Sequence, residues 1–320
     1  MFFTRLHSVP KANTILFCSQ LIFTFTYRKR LFTLGSYMMA SVAACHDNKD
    51  GKISLKLTGV KGDGAKFDDV FVYGEASNCS EHIIYFGGDV QDYPENMERH
   101  RDNKRYVAWS SDNTAALIHR KFPSSLVFVI KPSKMHLLTF AVYSNFIETN
   151  DFGSPTHSSD HGAIKHLSCL YNSVVKEVNS KTGGNMQSSL PLRLIGFSKG
   201  CTVLNQLVFE LHLLDQNPDL KHFIKKIKAF HWLDGGHSGG KENTWVTDDE
   251  SLRQLASLDC DIFINVTPYQ IRDPLRKWIG QQEAKFFRKL KGFNARVVEK
   301  VHFDTEPASI NNHFKVLEVF

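Results

Sequence analysis

The chain is poor in cysteine, and no two cysteines lie close together. Two of the six, Cys18 and Cys45, fall near the N-terminus; the other four (Cys79, Cys169, Cys201, Cys260) are widely spaced and make no CxxC pair. That spacing argues against a zinc site and against a disulfide framework, and reduced thiols are the expectation. Acidic residues are absent from the first 46 positions. Five basic residues (Arg5, Lys11, Arg28, Lys29, Arg30) precede the first acid, Asp47, so most of the formal net charge of +6 belongs to this segment. The rest of the chain is near neutral, which excludes a large basic face and, with it, nucleic acid as an expected partner. The basic run "HFIKKIKAF" reads as a solvated helix end. Long apolar runs are also missing. The stretch "TILFCSQLIFTFTY" is broken by Ser19, Gln20 and three threonines, and it is too short to predict a transmembrane segment. No internal repeat appears at solenoid periods.

What the first 46 residues do contain is Ser, Thr, Arg and Phe, the composition of a mitochondrial transit peptide. A secretory signal would put a small-residue cleavage site after the apolar run, where "RKR" stands instead. Residues 1–46 are therefore expected to be a removable leader addressing the chain to the mitochondrial matrix. Residues 47–320 are expected to form one domain.

From about residue 52 the pattern alternates strands with helices. "ISLKL" and "DVFVY" alternate as half-buried strands around a glycine-rich turn, "TGVKGDGAK". "HIIYFGG" and "SSLVFVI" are continuous apolar runs, as strands buried on both faces should be. "HGAIKHLSCLYNSVVKEVNSKTGG" predicts a helix ending at Gly183, with Asp160 as its cap. "LRLIG" precedes a helix whose stripe runs from Val203 to Leu214. "IKAFHWL", "DIFINV" and "ARVVEKVHF" supply three further strands, "PLRKWIGQQEAKFFRKLKG" a helix, and "NHFKVLEVF" a closing helix. Such alternation predicts an α/β domain with a mostly parallel sheet covered by helices on both faces.

Gly196-Phe197-Ser198-Lys199-Gly200 matches G-x-S-x-G. The match gains weight from its place between an apolar strand and an apolar-striped helix, the context of a nucleophile elbow. There the serine takes a strained conformation and the helix N-terminus lies beneath it. Ser198 is the candidate nucleophile, and the Lys199 N–H one oxyanion donor. The base should follow near the last strand; His302 ends "ARVVEKVH", and His313 in the closing helix is the alternative. For the orienting acid, Asp273 follows the penultimate strand and Asp234 ends the strand before it. Chain order favours Asp273 with His302. The second oxyanion donor is expected in "IIYFGGDVQDY", from Gly88 or Asp89.

The segments "YFGGDVQ", "GFSKGC", "HWLDGGHSGG" and "VTPYQIRDPLRKWIG" together resemble a vertebrate mitochondrial family, the one named for chromosome 2 open reading frame 69. The resemblance covers nearly all of the chain after residue 46. It implies an α/β-hydrolase-like fold, a mitochondrial compartment, and Ser198 as the serine suspected of catalysis. Lys199 departs from the apolar, His or Gln residues more usual beside an elbow serine.

The expected activity is hydrolysis of a small-molecule ester or thioester through an acyl-serine, without cofactor or metal. The alternative is a noncatalytic module of the same fold that binds a protein partner or small molecule in mitochondria. Other constellations are weaker. His157 and His161 in "THSSDHGAIKH" have metal-ligand spacing but straddle a helix start. His237 lies in a glycine-rich turn. "DNKDGK" puts Lys49 at a calcium-ligand position, and "KGDGAK" lacks phosphate-loop spacing.

Overall fold

The computed structural model describes residues 52–76, 79–237 and 244–320. The proposed leader, Asp47 and the segment 238–243 lie outside the described residues.

Eight strands form the main sheet: β1 (Ile53–Lys61), β2 (Phe67–Gly74), β3 (Glu81–Phe86), β4 (Ser125–Ile130), β5 (Leu192–Phe197), β6 (Ile227–Leu233), β7 (Asp261–Val266) and β8 (Arg296–Val301). Their spatial order is β1-β2-β4-β3-β5-β6-β7-β8. β2 runs antiparallel to β1 and to β4, and every other pairing is parallel. The loops that leave β3 to β8 therefore share one edge of the sheet, where ligands of open α/β sheets bind.

Successive side chains along the central strands enter opposite cores, as the two-residue period requires. Ile84 and Phe86 of β3 join one core, whereas Ile83 and Tyr85 join the other. The first core is covered by α3 (Ala163–Thr182), α4 (Cys201–Phe209), α5 (Pro218–Lys225), α6 (Asp249–Ser257) and α8 (Trp278–Gly292). The second is covered by α2 (Ser111–Lys121) and α9 (Ile310–Val319). Short helices α1 (Pro94–Arg99) and α7 (Pro268–Ile271) complete the set among the described residues. Burial on both faces explains why β3 and β4 read as unbroken apolar runs. A mostly parallel, two-faced sheet with a serine elbow on a central strand is the α/β-hydrolase fold.

Two local expectations change. The helix predicted as far as Leu214 ends at Phe209, and a 3₁₀ segment (Leu211–Gln216) follows. Glu210, between the two, is buried and caps α3 from outside: Oε1 accepts the Gly162 and Ala163 N–H groups, and Oε2 that of Ile164, each at 2.9 Å. A carboxylate here meets the positive end of the helix dipole. Asp160 is exposed, and the N-cap position belongs to Gly162.

Candidate functional site

β5 delivers Ser198 at the edge of the sheet, with φ of +52°. One 3₁₀ turn, Ser198–Gly200, leads directly into α4, which sets the positive end of the helix dipole under the serine. The flanking glycine has a steric reason. A Cβ on Gly200 would lie 2.1 Å from the Phe86 carbonyl oxygen at the end of β3. Ser198 is buried, 7% exposed. The neighbouring thiol, Cys201, donates to the Gly196 carbonyl at 3.1 Å, and burial pushes its pKa far up, so it stays protonated.

The residues proposed as acid and base are paired otherwise than expected. Asp234, at the end of β6 with φ of +46°, is fully buried. Its Oδ2 lies 2.7 Å from His313 Nδ1. Thr267 at the end of β7 donates its N–H to Oδ1 and its hydroxyl to Oδ2, both at 2.7 Å. These bonds fix the carboxylate on three sides, so the His313 proton is held on Nδ1 and Nε2 is the acceptor nitrogen. The imidazole lies against Phe197, the residue before the serine, and Tyr269, at centroid distances of 4.7 and 5.2 Å. Among the described residues neither His313 Nε2 nor the Ser198 hydroxyl makes a hydrogen bond. Catalytic bonds of this kind often close only with substrate.

Asp273 and His302 do not meet. Asp273 Oδ1 accepts the Leu275 N–H at 2.8 Å and Oδ2 pairs with Arg276 Nε at 2.6 Å. The short helix α7 intervenes after β7 and carries the chain past the edge, leaving Asp273 to shape the following turn. His302 is buried at the end of β8 and donates from Nε2 to Asn265 Oδ1 at 2.8 Å. Burial, with smaller contributions from Lys300 and Lys121, lowers its pKa to about 4. Asn265 accepts the Asp234 N–H on its own carbonyl at 2.7 Å, so His302 stands one residue removed from the acid.

The diglycine loop after β3 abuts the elbow: a Cβ on Gly88 would lie 2.7 Å from Ser198 Cβ. Gly88 cannot offer its N–H to a substrate oxyanion, because it donates to Gln91 Oε1 at 2.9 Å. Gln91 also accepts from Tyr85 and donates to the Trp109 carbonyl and Thr114 hydroxyl, which rivets the loop to the second core. Asp89 remains. Its N–H has no partner among the described residues, while its carboxylate accepts the Ala141 N–H at 2.8 Å and faces Lys199 Nζ at 3.3 Å. Lys199 is itself buried and donates to the Phe152 carbonyl at 2.8 Å. The unusual lysine beside the serine therefore clasps the Asp89 loop to the segment that follows β4. Val90 shows how tightly this loop is held: a β-branched residue at φ of +75°, its N–H on the Thr139 carbonyl.

Sequence reasoning had no means of finding Gln91, Thr267 or Asn265. Each is a polar residue at a strand end or loop whose partner is remote in the chain. The signals that were present are the Asp-Gly-Gly after β6 and a histidine in the closing helix.

Comparison with known proteins bears on the lineage. The family model described as C2orf69 matches residues 57–189 and 177–296. The zebrafish (Danio rerio) protein named mitochondrial protein C2orf69 homolog is 38% identical over 291 residues, covering 83% of this chain and 85% of that one. The chain belongs to the C2orf69 family. The human member, named mitochondrial protein C2orf69, is 40% identical over 285 residues, covering 75% and 74% of the two chains. Among solved structures, this C2orf69-family chain is similar to carboxyl esterase 2 (TmelEST2) from Tuber melanosporum. That match has 12% identity and a TM-score of 0.46, and covers 86% of this chain and 82% of the other. No helix among the described residues is long and apolar enough to cross a membrane.

Proposed function

We propose that this C2orf69-family chain is a mitochondrial serine hydrolase that cleaves an ester or thioester through acyl-Ser198. The observation that carries the reading is the 2.7 Å bond from His313 Nδ1 to buried Asp234, held at the same sheet edge as Ser198 and its left-handed φ. Asp234 keeps the imidazole proton on Nδ1, so Nε2 takes the proton of the Ser198 hydroxyl as its oxygen attacks the substrate carbonyl. The Lys199 and Asp89 N–H groups, with the α4 dipole behind the serine, stabilise the resulting oxyanion. His313 then returns the proton to the departing alcohol or thiol, and water repeats the sequence to release the acid. The compartment rests on the names of the relatives and on the acid-free composition of residues 1–46. The matrix is the proposed address, with the leader removed there. Sequencing the N-terminus of protein recovered from mitochondria tests that; an intact N-terminus contradicts it.

A second reading, a noncatalytic module of the same fold, is favoured by one observation. Ser198 is buried as a residue, and its hydroxyl makes no bond to His313 among the described residues. A fluorophosphonate probe separates the two. The hydrolase reading expects labelling of the wild-type chain that vanishes in Ser198→Ala and falls steeply in His313→Ala. Absence of wild-type labelling, or labelling unchanged in Ser198→Ala, leaves the noncatalytic reading.

A further inference from the structure

After β4 the chain folds a small ribbon, Lys134–His136 against Phe140–Val142. Its tip breaks two rules at once. Leu137 and Leu138 have φ of +51° and +57°, the left-handed region that hairpin tips usually fill with Asn and Gly. They are also 64% and 58% exposed. Phe152, 47% exposed, packs against the ribbon through His136 and Phe140 at 4.9 and 5.3 Å. The other strongly exposed large apolar residues, such as Phe67, Leu275 and Val298, lie far apart in the chain. Here three gather, and two hold a backbone conformation that favours other residue types. Folding alone gives no reason for leucine at either position.

The surroundings of the tip carry charge. Asn103 Nδ2 donates to the Leu138 carbonyl at 2.7 Å and so ties the tip to the segment 98–105. That segment holds four cations, Arg99, Arg101, Lys104 and Arg105, all exposed, against two acids, Glu98 and Asp102, a net +2. Arg101 pairs with Asp102, and Lys134 in the ribbon with Asp151.

We propose that the Leu137–Leu138 tip, with Phe152 and the basic segment 99–105, is a docking surface for an anionic phospholipid bilayer. Apolar side chains flanked by Lys and Arg match the interface of such a membrane, apolar below and negatively charged at the headgroups. A second copy of the chain fits less well, since a two-fold contact would set this basic segment against itself. The surface lies on the loop after β4, at the same sheet edge as Ser198. It is joined to the elbow through the Phe152 carbonyl and Lys199, and to the Asp89 loop through Thr139 and Val90. Docking would place the candidate site at the membrane interface, but the surface stands whether or not Ser198 is catalytic.

The test uses the full chain with two vesicle preparations, phosphatidylcholine alone and phosphatidylcholine containing one part in four phosphatidylserine. Wild type and Ser198→Ala should both sediment with the anionic vesicles. Hydrogen exchange should slow at residues 134–142 and 99–105. Leu137→Asn/Leu138→Gly installs the residues the turn prefers, so Tm should hold or rise while affinity falls at least about thirtyfold. Lys104→Gln/Arg105→Gln, on exposed positions, should weaken binding roughly thirtyfold, about fivefold for each charge. No sedimentation of the wild type, exchange protection only outside these segments, or wild-type affinity in both double variants would overturn the proposal.

Discussion

Two buried aspartate–histidine pairs among the described residues have the same bond length and opposite meanings. Asp234 and His313 meet at 2.7 Å beside the serine elbow; Asp68 and His166 meet at 2.7 Å where α3 packs on the β1–β2 hairpin. The difference lies in the other ring nitrogen. His166 Nδ1 accepts the Asp63 N–H at 3.1 Å, so its proton sits on Nε2 and goes to Asp68. Both nitrogens are spent. A Cβ on Gly62 would sit 2.1 Å from the ring, so the backbone closes over it as well. His313 gives only Nδ1 to its aspartate, and Nε2 is left without a hydrogen bond among the described residues. A short bond to a carboxylate thus identifies a held histidine, and the spare nitrogen identifies a candidate base.

The largest expected effect tests the first pair. Asp234→Asn should lower the rate of acyl transfer, or of fluorophosphonate labelling, by on the order of 10⁴, because the imidazole loses the group that fixes its tautomer. Asp273→Asn should change it by a few-fold at most, since that carboxylate serves a turn and Arg276. Equal losses in the two variants, in protein that melts normally, would erase the distinction drawn from the structure.

The second pair should answer to temperature and not to rate. His166→Ala strands the fully buried Asp68 carboxylate with Asn145 as its remaining side-chain partner. The expected cost is about 3–5 kcal/mol, on the order of 10 °C in Tm, with activity per folded molecule unchanged. A thermal scan with active-site titration reads both quantities. A fall in specific activity without a fall in Tm would mean that the two pairs are coupled.

The same contrast explains what could be read from the chain. Strand and helix order, the elbow at Ser198 and the two-sided burial of β3 and β4 follow from periodicity and from glycine placement, both local properties. The pairing of candidate acid and candidate base does not, because it depends on where a loop goes after its strand ends. Asp273 follows β7 in sequence, but α7 carries the chain beyond the edge before reaching it. Asp234 needs no such path, since it is the first residue after β6 and is fixed by Thr267 on the neighbouring strand. For the candidate base, six residues of "FDTEPA" after His302 and the cap at Ser309 bring the closing helix back over β5. There Phe314 stacks on Tyr106 and Trp109, at 4.8 and 5.3 Å, and His313 comes to lie on Phe197. An aromatic cluster drawn from three separate segments leaves no periodic mark in any of them.

His302 gives the smallest and most specific test, because it is the histidine that chain order favoured and the structure set aside. Its pKa is lowered to about 4 in the folded chain, chiefly by burial, against 6.5 for an unperturbed histidine. As the pH falls below about 6.5 the unfolded chain takes up a proton that the folded chain refuses. The unfolded state then binds more protons, so stability drops as the pH falls from about 6.5 toward 4 and is fully present above that window. Glutamine at this position keeps an N–H for Asn265 Oδ1 and cannot titrate. His302→Gln should therefore lose less stability than wild type between pH 7 and pH 5, its slope shallower by up to one proton. His82 and His157, also lowered to about 4 by burial, leave a common acid slope in both proteins, so the difference between them is the quantity to measure. Any acyl-transfer activity should survive the substitution, since His313 is the base in the proposed mechanism. Urea midpoints and rates at the two pH values give both answers from the same preparations. If activity vanished in folded His302→Gln while the stability slope stayed as in wild type, His302 would be the base after all, and the spare nitrogen of His313 would have misled.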